Sequence, residues 1–283
     1  MRDHKIHFLY DAKKQPDAGF ARSLINAFGQ TPITEAFNIV SVGGDGALLG
    51  ALSHATGKSA LGVVPPDSNS IGFWTNRNIN TPDDLAALLD TAKGYKIRPL
   101  KAEITFADGQ QIERYGYNEI AIQTVPQELP QALREDFGLS EIDISVQSVL
   151  VNMKICIANA ILGPARIMGG GLIFSTALGS TALNRAYSGP SIDIRDESII
   201  LTGKGISDPV KGFTPIVNNC TTIFELDILS AHKRPTMVTF DSFGINRNAR
   251  DEPIQTLRIS TATDRSVKLI LAEDPGRRAY SAL

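Results

Sequence analysis

Cysteine is nearly absent. Cys156 and Cys220 are the only two among 283 residues, far apart and each in apolar or β-rich sequence, which argues against a disulfide framework or a zinc site and suits a reducing cytoplasm. Histidine is scarce too: the four, at positions 4, 7, 54 and 232, show no metal-ligand spacing and read as structural or surface residues. Charge of one sign is lacking, since 28 Lys and Arg stand against 30 Asp and Glu for a formal net charge of −2. That balance removes any general electrostatic case for nucleic-acid or membrane binding. No apolar run approaches the roughly 18 residues of a membrane span, and the first ten residues lack the apolar centre of a signal peptide. What remains, 42% hydrophobic and 20% charged residues, is an ordinary globular composition, long enough for two domains with real cores.

The most informative stretch runs from Phe37 to Leu52. Ile39, Val40 and Val42 are β-branched, as expected of a short buried strand, and a helical pattern follows from about Ala47 to His54. Between them lies Gly43-Gly44-Asp45-Gly46. Glycines admit positive φ and close approach by a ligand, and a helix opening there aims free N–H groups and its positive end at the turn, which favours phosphate. Asp45 is then placed to take a proton from a hydroxyl or to engage Mg²⁺. An aspartate in a glycine-rich turn is also a common turn former. The spacing matches neither a P-loop nor G-x-G-x-x-G.

Around that turn the chain alternates strand and helix. Lys5 to Tyr10 reads as a strand, Asp17 to Phe28 as a helix, and Ala60 to Val64 as a further strand. Thr81-Pro82-Asp83-Asp84 signals a helix start with Thr81 as N-cap, running to about Lys93 with Gly94 as its stop. This order predicts parallel βαβ units in a doubly wound α/β sheet, with Gly43 to Gly46 beyond the carboxyl ends of its strands. Phe73 and Trp74 either wall a pocket or cap the core of this domain. From Ile97 the period shortens: a hairpin turns at Asp108-Gly109, and short strands recur at 119–124, 142–146, 149–158, 172–176, 198–201, 221–229, 236–240, 255–259 and 267–271. Residues 126–138 read as a polar insertion and 274–283 as a basic tail returning over the surface. The expected division is an α/β domain over 1–97, a β-rich domain over 98–262, and a C-terminal segment, 263–283, returning to the first domain.

Two further stretches stand out. Tyr117-Asn118-Glu119 sets an amide and a carboxylate at a strand start, which is also what an ordinary strand edge can look like. Gly169-Gly170-Gly171, a strand, and then Gly179-Ser180-Thr181-Ala182 opening a helix again present backbone and hydroxyl donors. In this order and at these separations the segments resemble the NAD kinase family. Gly43-Gly44-Asp45-Gly46 matches its Gly-Gly-Asp-Gly motif, Ile71-Gly72-Phe73 its Leu-Gly-Phe loop, and Asn118-Glu119 its Asn-Glu pair. Ser175 to Ala182 is similar to its Ser-Thr-Pro-x-Gly-Ser/Thr-Thr-Ala segment, while Thr214-Pro215-Ile216 and Phe240-Asp241 resemble later landmarks.

The resemblance implies an N-terminal α/β domain and a β-rich C-terminal domain, in a cytoplasmic homodimer or homotetramer that phosphorylates the adenosine 2′-hydroxyl of NAD. ATP would be the donor, with Mg²⁺ or another divalent cation screening its phosphates, and no metal-ligating residues of the chain are singled out. By the same resemblance Asp45 is the catalytic residue. Gly43, Gly44 and Gly46 admit phosphates, and Gly46, Phe73, Asn118, Glu119, Thr181, Ala182 and Asp241 contact NAD. The chain departs from the family at Gly170, where a carboxylate is usual, at Leu183, where an aromatic is usual, at Ala47 and Ala186, where hydroxyl residues occur, and along 65–70. These changes bear on nucleotide affinity more than on phosphoryl transfer. They motivate a rival reading as a non-catalytic NAD(P)-binding homologue, and a lipid kinase sharing only the first motif is a third.

Overall fold

The computed structural model describes residues 4–14, 16–70, 72–124, 149–157, 160–208, 213–229, 236–241 and 253–272. The insertion expected at 126–138, the strand at 142–146, the tail from 274 and Ile71 lie outside them. Two compact units form: one comprises residues 1–99, 192–197 and 262–283, the other 100–191 and 198–261.

The first unit is a five-stranded sheet. Strands β1 (Ile6–Tyr10), β2 (Asn38–Val42), β3 (Ser59–Val63), β4 (Lys93–Ile97) and β15 (Val267–Leu271) lie in the order β1-β2-β3-β15-β4. Only β4 runs antiparallel, against β15. Helices α1 (Asp17–Phe28), α2 (Asp45–Leu52) and α3 (Pro82–Thr91) cover both faces. Leu24 of α1 and Leu85 and Leu88 of α3 share a core with Val40, Val42, Leu61 and Val63. Gly62, which must point the other way in a strand, faces Leu48 of α2. Thr81 caps α3 as its side chain accepts from Asp84 N–H at 3.2 Å while the Asp84 carboxylate accepts from Thr81 N–H at 2.9 Å, the reciprocal capping box.

Two boundaries differ from those the sequence suggests. Helix α3 ends at Thr91, and Gly94 is not its stop but the second residue of β4. Its lack of a side chain leaves room for the Lys268 stem on the neighbouring strand. Helix α2 begins at Asp45 rather than near Ala47, because Gly44 takes the extended N-cap conformation. An aspartate is favoured in a first turn by the helix dipole, so the polar turn and the helix overlap.

The second unit is one large antiparallel sheet. Its strands are β5 (Leu100–Phe106), β6 (Gln111–Gly116), β7 (Glu119–Thr124), β8 (Val149–Ile157), β9 (Ala160–Ser175), β10 (Ile199–Asp208), β11 (Ile216–Asn218), β12 (Ile223–Ile228), β13 (Thr236–Phe240) and β14 (Ile254–Thr261). They run β11-β10-β9-β8-β12-β14-β5-β6, while β7 pairs with both β9 and β13. Phe174 and Phe224 meet edge to face at 5.0 Å in its core. The hairpin at Asp108-Gly109 forms, with Gly109 at φ +83°.

Strand β9 is far longer than the expected 172–176. It begins against β8 and ends against β7 along the same edge. The glycines at 169–171 sit at that change of partner. A Cβ on Gly171 would lie 2.2 Å from Ile122 O, and one on Gly169 would lie 2.6 Å from Gly205 O, so backbones approach there more closely than any side chain allows. The three glycines are therefore inside a strand, not before one.

Candidate active site

In the first unit the carboxyl end of β2 runs into the glycine turn. Gly43 adopts φ +139° and donates its N–H to Val63 O at 2.9 Å, which ties the turn to the end of β3. Gly44 has ordinary extended backbone and is a glycine for space: a Cβ there would lie 2.0 Å from Ser70 Oγ. A Cβ on Gly46 would meet nothing within 4 Å.

Asp45 occupies the first position of α2, half-buried, and its carboxylate is spoken for by the loop after β3. Oδ2 accepts the Phe73 N–H at 2.7 Å and Oδ1 accepts the Trp74 N–H at 2.9 Å. Asp45 is thus a structural anchor of the loop that follows β3. Each oxygen has a second lone pair, so the bonds fix the orientation of the carboxylate without using it up. The loop is secured behind this contact. Asn76, fully buried, gives its Nδ2 to Gly62 O at 3.0 Å and to Ile270 O, and its Oδ1 accepts Ala272 N–H at 2.7 Å. Trp74 is buried and Phe73 half-buried, their rings edge to face at 4.9 Å. Trp74 caps the core, while Phe73 keeps an accessible ring.

In the second unit the Asn-Glu pair stands where β7 begins, and Asp241 organises it. At φ +50° just past β13, Asp241 accepts Tyr117 N–H at 2.7 Å on Oδ2, and Asn118 N–H at 2.5 Å and Glu119 N–H at 3.3 Å on Oδ1. Its own N–H donates to Glu119 O. Burial pushes the Asp241 carboxyl above its ordinary range, against the three N–H groups that favour the anion. On the other side, Thr176 donates its N–H to Asn118 O at 2.9 Å and its hydroxyl to Tyr117 O at 2.6 Å. Gly179 passes so close that a Cβ would lie 2.1 Å from Asn118 O. Glu119 is 2% exposed and directly opposite Ser175 on β9. Asn118 Oδ1 and Ser175 Oγ are buried without a hydrogen-bond partner among the described residues. A buried acceptor and a buried hydroxyl left in this state suit a ligand that brings its own hydroxyl groups.

Thr181 ends a single 3₁₀ turn (Leu178–Thr181), and Ala182, exposed, precedes the short helix Leu183–Ala186. That segment is held by Asn184, whose Nδ2 donates to Ser180 O and Pro190 O and whose Oδ1 accepts the Thr202 hydroxyl at 2.6 Å. Within the first unit the structure thus brings Gly43, Gly44, Asp45 and Phe73 together. Within the second it brings together Asn118, Glu119 and Asp241, with Thr181 and Ala182 at the end of the segment that Thr176 and Gly179 anchor. Thr176 lies inside the second motif and Asn184 two residues beyond it, and nothing else marks either in the sequence. The amides of Phe73 and Trp74 are invisible to it, because backbone groups leave no residue signature.

The chain thus carries two polar constellations, one at the strand-end glycine turn of its α/β unit and one around the buried amide and carboxylate of its β unit. No protein-family model matches the chain. A NAD kinase of Xanthomonas oryzae pv. oryzae is 28% identical over 262 residues, 91% of this chain and 88% of that one. A NAD kinase of Cereibacter sphaeroides is 27% identical over 278 residues, covering 98% and 95%. Among solved structures, yeast NADH kinase complexed with NADH superposes with a TM-score of 0.75 at 13% identity, over 98% of this chain and 86% of that one. A NAD kinase from Archaeoglobus fulgidus in complex with ATP gives 0.67 at 16% identity, over 98% and 97%. Over most of its length the chain is similar in sequence to curated NAD kinases and in fold to solved NAD and NADH kinases.

Proposed function

We propose that the protein is a NAD kinase, transferring the terminal phosphoryl group of ATP to the adenosine 2′-hydroxyl of NAD to give NADP. The observation that carries this reading is the pair of built constellations on one chain. A carboxylate is clamped at the glycine turn by two loop amides, and a buried Asn-Glu pair is clamped by Asp241. The relatives named NAD kinase match across both units.

Asn118 and Glu119 hold ribose hydroxyls: an amide supplies donor and acceptor, a carboxylate two acceptors, which is what adjacent hydroxyl groups need. Asp241 acts through them, since its oxygens are committed to their N–H groups. Thr181 and Ala182 border the bound dinucleotide, and Phe73 offers a ring face to it. Asp45 accepts the proton of the attacking hydroxyl, or orients that hydroxyl, from a position its two amide bonds keep fixed. Gly43, Gly44 and Gly46 give the start of α2 backbone N–H groups for donor phosphates, with open space beside Gly46. Positioning and charge stabilisation of this kind are the protein's main task in phosphoryl transfer.

Among the described residues no group of three or more His, Cys, Asp or Glu side chains stands together as metal ligands. A divalent cation is expected to arrive with ATP as part of the substrate, screening its phosphates. The reading extends to a cytoplasmic homodimer or homotetramer. Incubating the purified chain with ATP, Mg²⁺ and NAD tests it: the expected product is NADP, and its absence, with NAD bound, would favour a non-catalytic homologue.

A further inference from the structure

The start of α1 contributes a residue that neither the motifs nor the proposed chemistry has used. Asp17, the first residue of α1, is 2% exposed, and its Oδ1 has no hydrogen-bond partner among the described residues. It lies against the glycine turn: a Cβ added to Gly43 would come within 3.3 Å of Asp17 Oδ2. The same Oδ2 holds Lys14 Nζ at 3.1 Å, and the lysine side chain is 54% exposed. Because β1 and β2 are parallel and Tyr10 pairs with Val42, the loop carrying Lys14 leaves the sheet beside the turn that begins at Gly43. A second cation stands on the other flank. Arg77, exposed, donates through Nη2 to Ser70 O, and Ser70 is the residue whose hydroxyl fills the space beside Gly44.

A buried carboxylate facing a glycine turn repels phosphate unless a cation accompanies it. Asp45 adds a second carboxylate at the same place, so the bare helix start of α2 faces two negative charges before any nucleotide arrives. A lysine on the first carboxylate and an arginine beyond the second glycine offset those two charges from both sides.

We propose that Lys14 and Arg77 are the cations that receive the donor's polyphosphate at the Gly43-Gly44 turn, and that Asp17 is a positioning residue holding Lys14 there. The proposal rests on the reading of this turn as a donor-phosphate site and assigns that site its charged side chains. Lys14 acts as a point charge on a flexible stem and needs a tether. Arg77, with a planar fork, binds phosphate oxygens directly and is held by its bond to the Ser70 carbonyl. Glycine at 43 is then required twice, for its φ of +139° and for the room it leaves the Asp17–Lys14 pair.

The test is equilibrium binding of inorganic tripolyphosphate and of Mg-ATP to the full chain by calorimetry, which does not depend on catalysis. Lys14→Ala and Arg77→Ala, both at exposed positions, are expected to weaken tripolyphosphate about tenfold each, the scale of one charge-assisted contact. Each should also flatten the dependence of affinity on salt, and Lys14→Arg should restore most of the loss. Asp17→Asn should weaken binding in the unmodified background and add nothing in the Lys14→Ala background. A purely structural role for Asp17 would make the two losses additive, which would overturn its assignment. Unchanged affinity in both cation variants, or no tripolyphosphate binding by the unmodified chain, would overturn the proposal. NADP formation is measured alongside: a chain that binds tripolyphosphate through Lys14 and Arg77 yet makes no NADP refutes the kinase reading and leaves the phosphate site standing.

Discussion

Replacing Asp45 by asparagine separates the two tasks given to that carboxylate. In the protein its oxygens accept the Phe73 and Trp74 N–H groups at 2.7 and 2.9 Å. An asparagine of the same shape keeps one acceptor and turns an NH₂ group toward the other amide, so one of two charge-assisted bonds becomes a donor facing a donor. A hydrogen bond to a charged group is worth about 1.5–3 kcal/mol, and an orphaned buried donor costs about 1–3 kcal/mol. Partial exposure of Asp45 lets water repair some of this, so a loss of about 1–2 kcal/mol follows. At about 2–4 °C per kcal/mol for a chain of this size, the melting temperature falls by about 2–8 °C. The proton acceptor is lost together with the anchor, so turnover should fall at least about a hundredfold. Scanning calorimetry and a coupled NADP assay on Asp45→Asn read the two effects independently. An unchanged melting temperature would show that the carboxylate does not anchor the loop, and turnover within a few-fold of the unmodified protein would remove it from the chemistry.

Further outcomes follow from the second unit and the surface. Asp241→Asn leaves fewer acceptors for the three N–H groups of residues 117–119, so KM for NAD should rise about tenfold or more while the ATP KM moves little; equal changes in both would contradict a role confined to the Asn-Glu pair. Gly179→Ala drives a methyl group into the Asn118 carbonyl, and overpacking against backbone should cost about 1–3 kcal/mol in urea denaturation. Arg195 holds the Asp193 carboxyl at about 2 by a side-chain fork at 2.5 and 2.7 Å. Because that folded value lies below the ordinary one, the pair stabilises the fold above about pH 4 and loses its effect as pH falls toward 2. Arg195→Ala should therefore cost at most about 1 kcal/mol at pH 7, since the pair is solvent-exposed, and progressively less below pH 4. A difference that grew on acidification would reverse the sign of this argument.

Periodicity carried much of the fold. The β-branched run before Gly43 and the apolar spacing of 17–28 marked β2 and α1, because each buries one regular face, and Thr81-Pro82 marked the start of α3 by local capping. Strand β4 was not legible: Lys93-Gly94-Tyr95-Lys96-Ile97 alternates little, and its ladder depends on a partner some 170 residues later in sequence, Val267–Leu271. The glycines at 169–171 looked like a loop before a strand because glycine usually punctuates. Their reason is the approach of β7 and β10 to one backbone, a tertiary fact with no local signal. At the candidate site, the side chains with chemistry of their own stood out in the sequence. What holds them did not: the loop amides on Asp45, the grip of Asp241 on three N–H groups, and the Asp17–Lys14 pair all depend on where distant backbone comes to rest.

A NAD kinase moves a phosphoryl group onto one particular hydroxyl. Phosphorus NMR of the products formed from ATP and NAD by the purified protein tests it most directly. The expected result is a new monoester resonance assignable to the adenosine 2′-phosphate, absent with Asp45→Asn. ATP hydrolysed to ADP and free phosphate with NAD untouched, or a phosphate on any other hydroxyl, would contradict it.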